Sequence, residues 1–162
     1  MEDLRIEIKL DEGATMPKAV DDYAVGYDLY VLEDSIIQHG RNLVGTGVHV
    51  SLPKGIGVII KPRSGFSVNG IEGEEASDSN FASFDSGVIR RFNADVLDGV
   101  IDPGYRNAIG VIVNNFDVPF KLRKGTRIAQ AIFIRYERPF LDGVNELTGY
   151  NRGGGFGHSG TK

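Results

Sequence analysis

Short apolar runs that end at glycine- or proline-containing turns are the feature that most restricts what this chain can fold into. Apolar and polar residues alternate over positions 4–10, which is the period-two pattern of a half-buried strand. Further β-rich runs cover residues 27–32, 43–52, 57–61, 108–116 and 127–136. Turn signals such as Asp-Pro-Gly at 102–104 separate these runs, and no window has the periodicity of a helix longer than two turns. The pattern predicts an all-β fold of the sandwich or jelly-roll type.

Composition excludes several classes of function. The net charge of −4 argues against a general nucleic-acid binder. No apolar run approaches the ~20 residues of a membrane span, and the first residues lack the pattern of a signal peptide. Cysteine is absent, which excludes disulfides and thiolate metal sites. We therefore expect a cytoplasmic protein, or one of the host cytoplasm if a phage encodes it, with no nucleic-acid or membrane partner.

The chain is expected to form one β domain over residues 1–149, followed by a flexible glycine-rich arm at 150–162. A long loop insertion is predicted at about 66–98. Within it, residues 70–86 are acidic and rich in serine, which is typical of a surface loop, and we regard this loop as a candidate surface for a protein partner. The pair Arg90 and Arg91 is interpreted as solvated.

Three stretches combine the residue types that bind a polyphosphate. They are Pro-Arg-Ser-Gly at 62–65, Gly-Val-Ile-Asp-Pro-Gly-Tyr-Arg at 99–106 and the glycine-rich tail at 152–160. Each alone is also typical of a simpler feature: a turn with a solvated arginine, a type II turn or a frayed end. Together they supply guanidinium groups, a hydroxyl and bare backbone N–H groups, and Phe156 in the glycine tract supplies a ring for a nucleobase. The combination indicates a nucleotide site without naming the reaction.

The order of these stretches resembles the five motifs of trimeric dUTPases, the dUTP diphosphatases. The motifs read Val-Gly-Tyr-Asp-Leu at 25–29, the stretches at 62–65 and 99–106, Gly-Thr-Arg-Ile-Ala-Gln at 125–130 and the Gly-Phe-Gly tail. The resemblance spans nearly the whole chain, and it implies a distorted jelly-roll or β-clip-like fold in a homotrimer with exchanged C-terminal arms. The implied reaction is Mg²⁺-dependent hydrolysis of dUTP to dUMP and pyrophosphate by attack of water on the α-phosphate. Such a reaction keeps uracil out of DNA and supplies dUMP for dTMP synthesis.

The resemblance assigns the third motif to the nucleoside and the attacking water. Asp102 resembles the general base, a role that typically contributes ~10²–10⁴-fold in rate. The turn formed by Pro103 and Gly104 is implied to hold it at the tip of a hairpin. Tyr105 resembles the residue that packs under the deoxyribose and leaves no room for a 2′-hydroxyl. The backbone that reads the uracil edge is implied to come from Asp102 together with Gly99, Val100, Ile101 and Gly110.

The first, second and fourth motifs resemble the part of the site that holds the phosphates. Arg63, Ser64 and Gly65 are implied to grip the phosphate chain, with the Ser64 hydroxyl donating to the α–β bridging oxygen. Gln130 resembles a further phosphate-binding residue. Asp28 is implied to support Mg²⁺ through water, because Mg²⁺ keeps several waters and binds triphosphate oxygens directly.

The tail resembles a lid that closes over the bound nucleotide. Phe156 is implied to cover the uracil, whereas Arg152 and the segment of His158 and Ser159, which follows Gly157, are implied to contact the γ-phosphate. In trimeric dUTPases this lid comes from another subunit, so that each site combines residues of three chains. The tail departs from the usual motif by one residue fewer before the phenylalanine and by a histidine where serine is frequent. Asn107 stands where the family usually has glycine.

Two other functions fit parts of this pattern. A dCTP deaminase shares the implied fold and similar motifs, but it places a glutamate in the strand after the Asp-Pro-Gly turn, and residues 108–114 contain no carboxylate. A catalytically silent module that binds a nucleotide or a protein would need neither a base nor a leaving-group donor. Release of ammonia from dCTP, or binding of dUTP without turnover, distinguishes these alternatives from a dUTPase.

Overall fold

The computed structural model describes residues 4–151 and 153, and nearly all regular structure within them is β. Strands account for 42% and helix for 4%, which confirms the predicted all-β class. In chain order the elements are β1 (Glu7–Leu10), β2 (Tyr27–Tyr30), β3 (Ser35–Ile37), β4 (Gly40–Gly45), β5 (Val48–Ser51), β6 (Ile56–Lys61), α1 (Ser64–Asn69), β7 (Ile71–Glu75), β8 (Ile89–Phe92), β9 (Ala94–Leu97), β10 (Gly99–Ile101), β11 (Gly110–Asn115), β12 (Phe120–Leu122) and β13 (Arg127–Arg135).

The strands of this part of the chain pair antiparallel in four small sheets. Their orders are β1-β5, β10-β6-β13-β2, β4-β11-β9 and β3-β12-β7-β8. In the second sheet the nine-residue strand β13 lies between β6 and β2, and β10 forms one edge. Four of the five predicted motifs lie on strands of this sheet or directly after one, so this sheet positions most of the candidate site.

Most predicted apolar runs become strands, with shifts at their ends. The run at 4–10 becomes strand only from Glu7, and Leu4 is largely exposed. The run at 43–52 is split between β4 and β5 at Thr46 and Gly47. Gly47 has a φ of +66°, which favours glycine, and the Thr46 hydroxyl donates to the Ile109 carbonyl at 2.7 Å. The chain therefore changes sheets at this point.

Branched aliphatic and aromatic side chains fill the space between the sheets. Phe92 on β8 and Phe120 on β12 stack with ring centroids 4.3 Å apart, and both are fully buried. Other large buried side chains are Leu29, Ile37, Ile60, Ile71, Ile109, Leu122 and Ile128. These residues come from all parts of the described chain, so the described strands share one core.

The prediction of a surface loop over 70–86 is wrong for its first part. Ile71–Glu75 forms β7, which pairs with both β8 and β12, and Ile71 is fully buried. Gly70, which directly precedes this strand, has a φ of +78°, and a Cβ there would collide with the Phe92 carbonyl oxygen. Of the predicted insertion at 66–98, only residues 76–88 form a long stretch without helix or strand. The insertion is therefore mainly a hairpin that adds to the core.

A buried carboxylate explains why β7 was not expected from its sequence. Glu74 is only 1% exposed, and its Oε2 lies 2.9 Å from Arg123 Nε and 3.1 Å from Lys121 Nζ. Its Oε1 accepts a hydrogen bond of 2.9 Å from the backbone N–H of Gly87. The Arg123 hydrogen bond, followed by the Gly87 N–H, lowers the pKa of Glu74 from 4.5 to about 2. The charge is therefore buried but fully paired.

The interpretation of Arg90 as a solvated side chain is also wrong. Its guanidinium carbon lies 3.8 Å from the centroid of the Phe92 ring, and the group lies 3.5 Å from Glu75 and 3.6 Å from Asp117. Arg91 is 47% exposed and lies 3.6 Å from Glu72. Thus the first arginine covers the core, and the second remains at the surface.

The chain leaves the core after β13 and runs outside it to residue 151. This segment has no strand or helix from 136 to 151. Phe140, Leu147 and Tyr150 are each more than 90% exposed. Residues 4–151 and 153 contain no helix that is long and apolar enough to cross a membrane.

Candidate active site

The residues assigned to phosphate binding line one pocket of about 480 Å³. It lies where β2, β13 and the start of α1 meet. The lining residues are Val20, Ala24, Val25, Gly26, Asp28, Arg63, Ser64, Gly65, Arg127, Gln130 and Ile132. All five phosphate and metal residues expected from the first, second and fourth motifs are among them. The fold therefore brings together motifs that are up to a hundred residues apart in sequence.

Gln130 reaches this pocket from β13. It lies opposite Asp28 on β2 and opposite Lys61 on β6. Its side-chain Nε2 donates to the Pro62 carbonyl at 3.0 Å, which fixes the amide next to the second motif. A Cβ on Gly26 would collide with the Gln130 Oε1. The absence of a side chain at position 26 thus leaves room for the Gln130 amide in its observed place.

Asp28 lies between two guanidinium groups. Its Oδ1 accepts a hydrogen bond of 3.1 Å from Arg63 Nε, and its Oδ2 lies 3.4 Å from Arg127 Nη1. The Asp28 side chain is 16% exposed, and the two arginines are 29% and 50% exposed. The carboxylate therefore holds two positive groups at the edge of the pocket, where they face an incoming anion.

The second motif forms a turn that leads into a short helix. Arg63 is the N-cap of α1 with an extended backbone, and its carbonyl accepts the N–H groups of Phe66 and Ser67 at 2.9 and 3.1 Å. Phe66 is buried and anchors the helix, whereas Ser64 and Gly65 are exposed on the pocket side. The buried Phe66 thus fixes this turn, while the Ser64 hydroxyl stays accessible from the pocket.

The third motif lies on the edge strand β10 and in the loop that follows it, residues 102–109, which we call the β10–β11 loop. β10 pairs with β6, whereas β11 pairs with β4 and β9. The expected hairpin is therefore wrong, because the loop connects two different sheets. As an edge strand, β10 leaves one row of backbone N–H and C=O groups without a partner in the described chain.

Asp102 and Tyr105 form the tight turn at the start of this loop. The Tyr105 N–H donates to the Asp102 carbonyl at 3.0 Å, and its hydroxyl donates to the Ala108 carbonyl at 3.0 Å. Asp102 is exposed, and Tyr105 is half-buried against the core. Gly110 lies in β11 opposite Gly45, where a Cβ would come within 2.6 Å of Leu43 Cδ1. Packing against Leu43 on β4 therefore favours glycine at position 110, independently of any role in binding.

The phosphate pocket and the β10–β11 loop lie at opposite ends of β6. Ile101 pairs with Val58, whereas Arg63 lies two residues beyond Lys61, at the other end of the strand. From Val58 to Arg63 the chain advances five residues, or roughly 17 Å at the usual rise per residue of a strand. Asp102 extends beyond Ile101, away from Arg63. Within one chain the two parts of the candidate site are therefore too far apart to contact the same phosphate group.

Among the residues that the structure describes, no group of three or more acidic or histidine side chains could hold a metal ion. The phosphate pocket contributes one carboxylate, Asp28. This fits a Mg²⁺ ion that is bound mainly by substrate phosphates and waters, because such an ion needs only one or two carboxylates from the protein. The predicted lid residues Arg152, Phe156, Gly157, His158 and Ser159 lie outside the described residues.

Sequence reasoning missed three residues around these two parts. Arg127 was included in a motif but was given no role, although it lines the pocket and contacts Asp28. The fourth motif could have indicated this role for Arg127, because Arg127 and Gln130 belong to one strand and both pair with β2. The role of Gly26, which is to leave space for the Gln130 amide, follows only from the tertiary structure. His49 contacts the β10–β11 loop at the Arg106 carbonyl, and nothing in the sequence around His49 predicts this contact.

Comparison with known proteins identifies relatives over nearly the whole chain. The sequence profile of the dUTPase family matches residues 12–80 and 86–160. The deoxyuridine 5'-triphosphate nucleotidohydrolase of rabbitpox virus (strain Utrecht) is 37% identical over 158 residues, which are 96% of this chain and 92% of that protein. The protein of the same name from Solanum lycopersicum is 33% identical over 155 residues, 94% of this chain and 79% of that protein.

Solved structures with the same fold come from staphylococcal phages. A mutant dUTPase of Staphylococcus bacteriophage 80alpha with dUpNHpp has a TM-score of 0.75 at 21% identity, covering 96% of this chain and 98% of that chain. A mutant dUTPase of phage phi11 of S. aureus, described with a structural Mg(II) ion, has a TM-score of 0.72 at 19% identity, covering 89% and 99%. This likeness confirms the jelly-roll-like fold. With the family profile matched over most of its length and 33–37% identity to curated relatives, the chain belongs to the dUTPase family.

Proposed function

We propose that this protein hydrolyses dUTP to dUMP and pyrophosphate, as the names of its relatives describe for them. The observation that carries the proposal is the phosphate pocket, in which Arg63, Ser64 and Gln130 converge around the Asp28 carboxylate. The same chain also carries Asp102 and Tyr105 on a loop beside an edge strand. A deaminase needs a carboxylate in the strand after the turn, which residues 108–114 lack, and a silent module needs neither a base nor a leaving-group donor.

In this proposal the phosphate pocket stabilises the charge that develops on the leaving group. The Ser64 hydroxyl donates to the oxygen between the α- and β-phosphates, and Arg63 and Gly65 hold the chain of phosphates. Gln130, fixed by the Pro62 carbonyl, binds a phosphate oxygen through its amide. Mg²⁺, bound by the triphosphate and supported by Asp28 through water, would neutralise phosphate charge. These residues orient the α-phosphate for attack.

Asp102 accepts the proton of the attacking water in this proposal, and the backbone beside it reads the base. A general base must lie within hydrogen-bond distance of the water that it activates. The free edge of β10, residues Gly99, Val100 and Ile101, offers backbone donors and acceptors to uracil, and Gly110 completes that surface. The Tyr105 ring, held by the Ala108 carbonyl, packs under the sugar and excludes a 2′-hydroxyl.

We also propose that the enzyme is a homotrimer whose sites are shared between subunits. The support is the distance of roughly 17 Å between the two parts of the site in one chain, estimated from the strand rise. A second chain can bring its Asp102 to the Ser64 of the first. The exposed side chains of Phe140, Leu147 and Tyr150 support an arm that packs on a neighbour, because large apolar groups are seldom left in water without a partner. The lid residues that follow would come from this arm.

A second candidate function is binding of a protein partner through the loop at 76–88, in addition to catalysis. The Asp78 carboxylate accepts hydrogen bonds from the backbone N–H groups of Asn80, Ala82 and Ser83, which orders the loop. Phe81 has a φ of +54° and is 37% exposed at the surface. A non-glycine residue in this conformation is uncommon and is often found at functional positions. We place both functions in the cytoplasm, or in the host cytoplasm for a phage protein.

Release of pyrophosphate from dUTP, measured beside dCTP, dTTP and UTP with Mg²⁺ and with EDTA, tests the proposed reaction. We expect release from dUTP only, and loss of that release in EDTA. Release of ammonia from dCTP would instead identify a deaminase. Binding of dUTP without release of pyrophosphate would identify a catalytically silent module.

A further inference from the structure

His49 on β5 bridges the N-terminal strand and the β10–β11 loop. Its Nδ1 lies 2.8 Å from the Arg106 carbonyl oxygen, and its Nε2 lies 3.0 Å from Asp11 Oδ1. The histidine side chain is 21% exposed, and that of Asp11 is 43% exposed. The two contacts join parts of the chain that lie 38 and 57 residues from His49.

Both groups that face the ring are acceptors of hydrogen bonds. A backbone carbonyl and a carboxylate have no hydrogen to donate, whereas a neutral imidazole carries only one N–H. A neutral His49 could therefore satisfy Arg106 O or Asp11 Oδ1, but not both. The imidazolium form has an N–H on each nitrogen and satisfies both contacts at once.

The charges around the ring come from the two elements that pack on it. Asp11, directly after β1, supplies the negative partner, and Lys9 on β1 lies directly opposite His49 in the strand register with its side chain exposed. In the β10–β11 loop the guanidinium of Arg106 donates to the carbonyls of Pro103 and Tyr105 and is thereby directed along the loop. Asp11 is the group that contacts the imidazolium directly.

The position of the contact links it to the nucleoside part of the site. Arg106 directly follows Tyr105, and Ile109 at the end of the loop donates to the carbonyl of Val48, next to His49, at 2.8 Å. The loop is thus attached to β5 at two points on either side of its exposed residue 107. Movement of the Arg106 carbonyl would carry Tyr105 and the turn at Asp102 with it.

We propose that His49, in its doubly protonated form, is a positioning residue that holds the β10–β11 loop in the geometry needed by Asp102 and Tyr105. The inference rests on the proposed function for the roles of those two residues. His49 does not touch the nucleotide in this proposal; it acts through the Arg106 carbonyl, and Asp11 acts through His49.

Nitrogen-resolved NMR of the full chain labelled with ¹⁵N-histidine tests the protonation state. The chain has three histidines, so variants of His39 and His49 assign their signals. We expect both nitrogens of His49 to carry a hydrogen, because the Arg106 carbonyl and the Asp11 carboxylate that face them can only accept hydrogen bonds. A neutral ring in a single tautomer would overturn the proposal. This readout does not depend on the role of Asp102.

Steady-state kinetics of His49→Gln and His49→Ala test the positioning role. We expect kcat/KM for dUTP to fall roughly three- to tenfold, the size of one lost ordinary hydrogen bond. The preference for dUTP over UTP should fall as well, because it depends on the placement of Tyr105. His49→Gln, which retains donors, should recover part of the effect.

His39→Ala is the matched control. The His39 ring also lies near a backbone carbonyl, that of Asp117 at 3.4 Å, but on a turn between β3 and β4. We expect this variant to keep both kcat/KM and the dUTP preference. If His49→Ala lowers only the melting temperature and leaves the dUTP preference unchanged, His49 is merely structural and the proposal fails. If Asp102→Asn keeps full turnover, the proposed base is wrong, whereas the NMR result for His49 still stands.

Discussion

Gln130 lies directly opposite Asp28 on neighbouring strands, and both residues line the pocket that also contains Ser64. The register of β13 against β2 therefore combines the first and fourth motifs into one surface. The second motif joins them because β6 pairs with the other side of β13 and is followed directly by Pro62, whose carbonyl accepts a hydrogen bond from the Gln130 amide. The phosphate part of the site is thus a property of one sheet.

Gly26→Ala should impair binding of dUTP with little effect on folding. The new Cβ would occupy the space of the Gln130 amide and displace it from the Pro62 carbonyl. We expect kcat/KM for dUTP to fall about tenfold, the effect of losing one or two hydrogen bonds to a charged substrate. Gly45→Ala is the control, because a Cβ there has no atom within 4 Å. If Gly26→Ala has the kinetics of the parent protein, the proposed role of Gln130 in phosphate binding is contradicted.

Asp102→Asn should keep the affinity for dUTP and lower kcat by at least about a hundredfold, the lower end of the range for a general base. The amide has nearly the same shape as the carboxylate but accepts no proton from water. Single-turnover release of pyrophosphate and binding of a non-hydrolysable analogue measure the two effects separately. Asp98→Asn controls for the loss of a charge nearby, since Asp98 pairs with Lys61. Retained turnover would contradict the role of Asp102.

Mixed trimers should regain activity that neither parent variant has. If Asp102 of one chain serves Ser64 of another, then a mixture of Asp102→Asn and Ser64→Ala chains contains sites with both residues intact. Random assembly from equal amounts makes about a quarter of the sites complete in a symmetric oligomer. The mixture is prepared by unfolding and refolding the two variants together. If each chain supplies both residues to its own site, no activity returns.

Glu74→Gln should lower the melting temperature near neutral pH, and the difference from the parent should fade in acid. The Arg123 hydrogen bond, with the Gly87 N–H, holds the pKa of Glu74 at about 2, below the ordinary 4.5. A carboxyl with a lowered pKa in the folded protein stabilises it above the unfolded pKa and loses this effect as the pH falls through the folded pKa. The difference should therefore remain constant above about pH 5 and shrink towards pH 2.

Glu72→Gln provides the control for this pH dependence. Its carboxylate is 55% exposed and pairs with Arg91 at 3.6 Å, so its loss should change the melting temperature little at any pH. Melting followed by circular dichroism from neutral pH to about pH 2 measures both variants. A difference for Glu74→Gln that persists unchanged in acid would show that its charge is not the cause.

Replacement of residues 77–85 by two glycines should leave dUTP hydrolysis, oligomeric mass and melting temperature close to those of the parent. The replacement keeps Glu74 and Gly87, which tie the ends of the loop to the core. Phe81→Ala is a milder variant that removes only the exposed ring. If a protein partner binds this loop, both variants should lose it while hydrolysis continues. Loss of hydrolysis in both would instead make the loop part of the active site.

Local patterns in the sequence were sufficient for most strands and for the chemical types of the site residues. Alternation of apolar and polar residues predicts a strand because successive side chains point to opposite faces. The turn residues at 102–104 were also recognisable from sequence alone, although the sheets that this turn connects were not. The assignment of residues 71–75 failed because Glu74 looks exposed until Lys121 and Arg123, more than forty residues later, neutralise it.

The tertiary structure alone decided how these pieces are combined. Strand register placed Asp28 beside Gln130, and the course of β6 separated the Asp102 loop from the phosphate pocket. The contacts of His49 with Asp11 and Arg106 join three segments that have no common pattern in sequence. Propensity and periodicity act over a few neighbouring residues, whereas hydrogen bonds, ion pairs and packing act between whichever groups the folded chain brings within a few ångströms. The sequence by itself therefore determined the strands and the chemistry available, and the fold decided which groups meet.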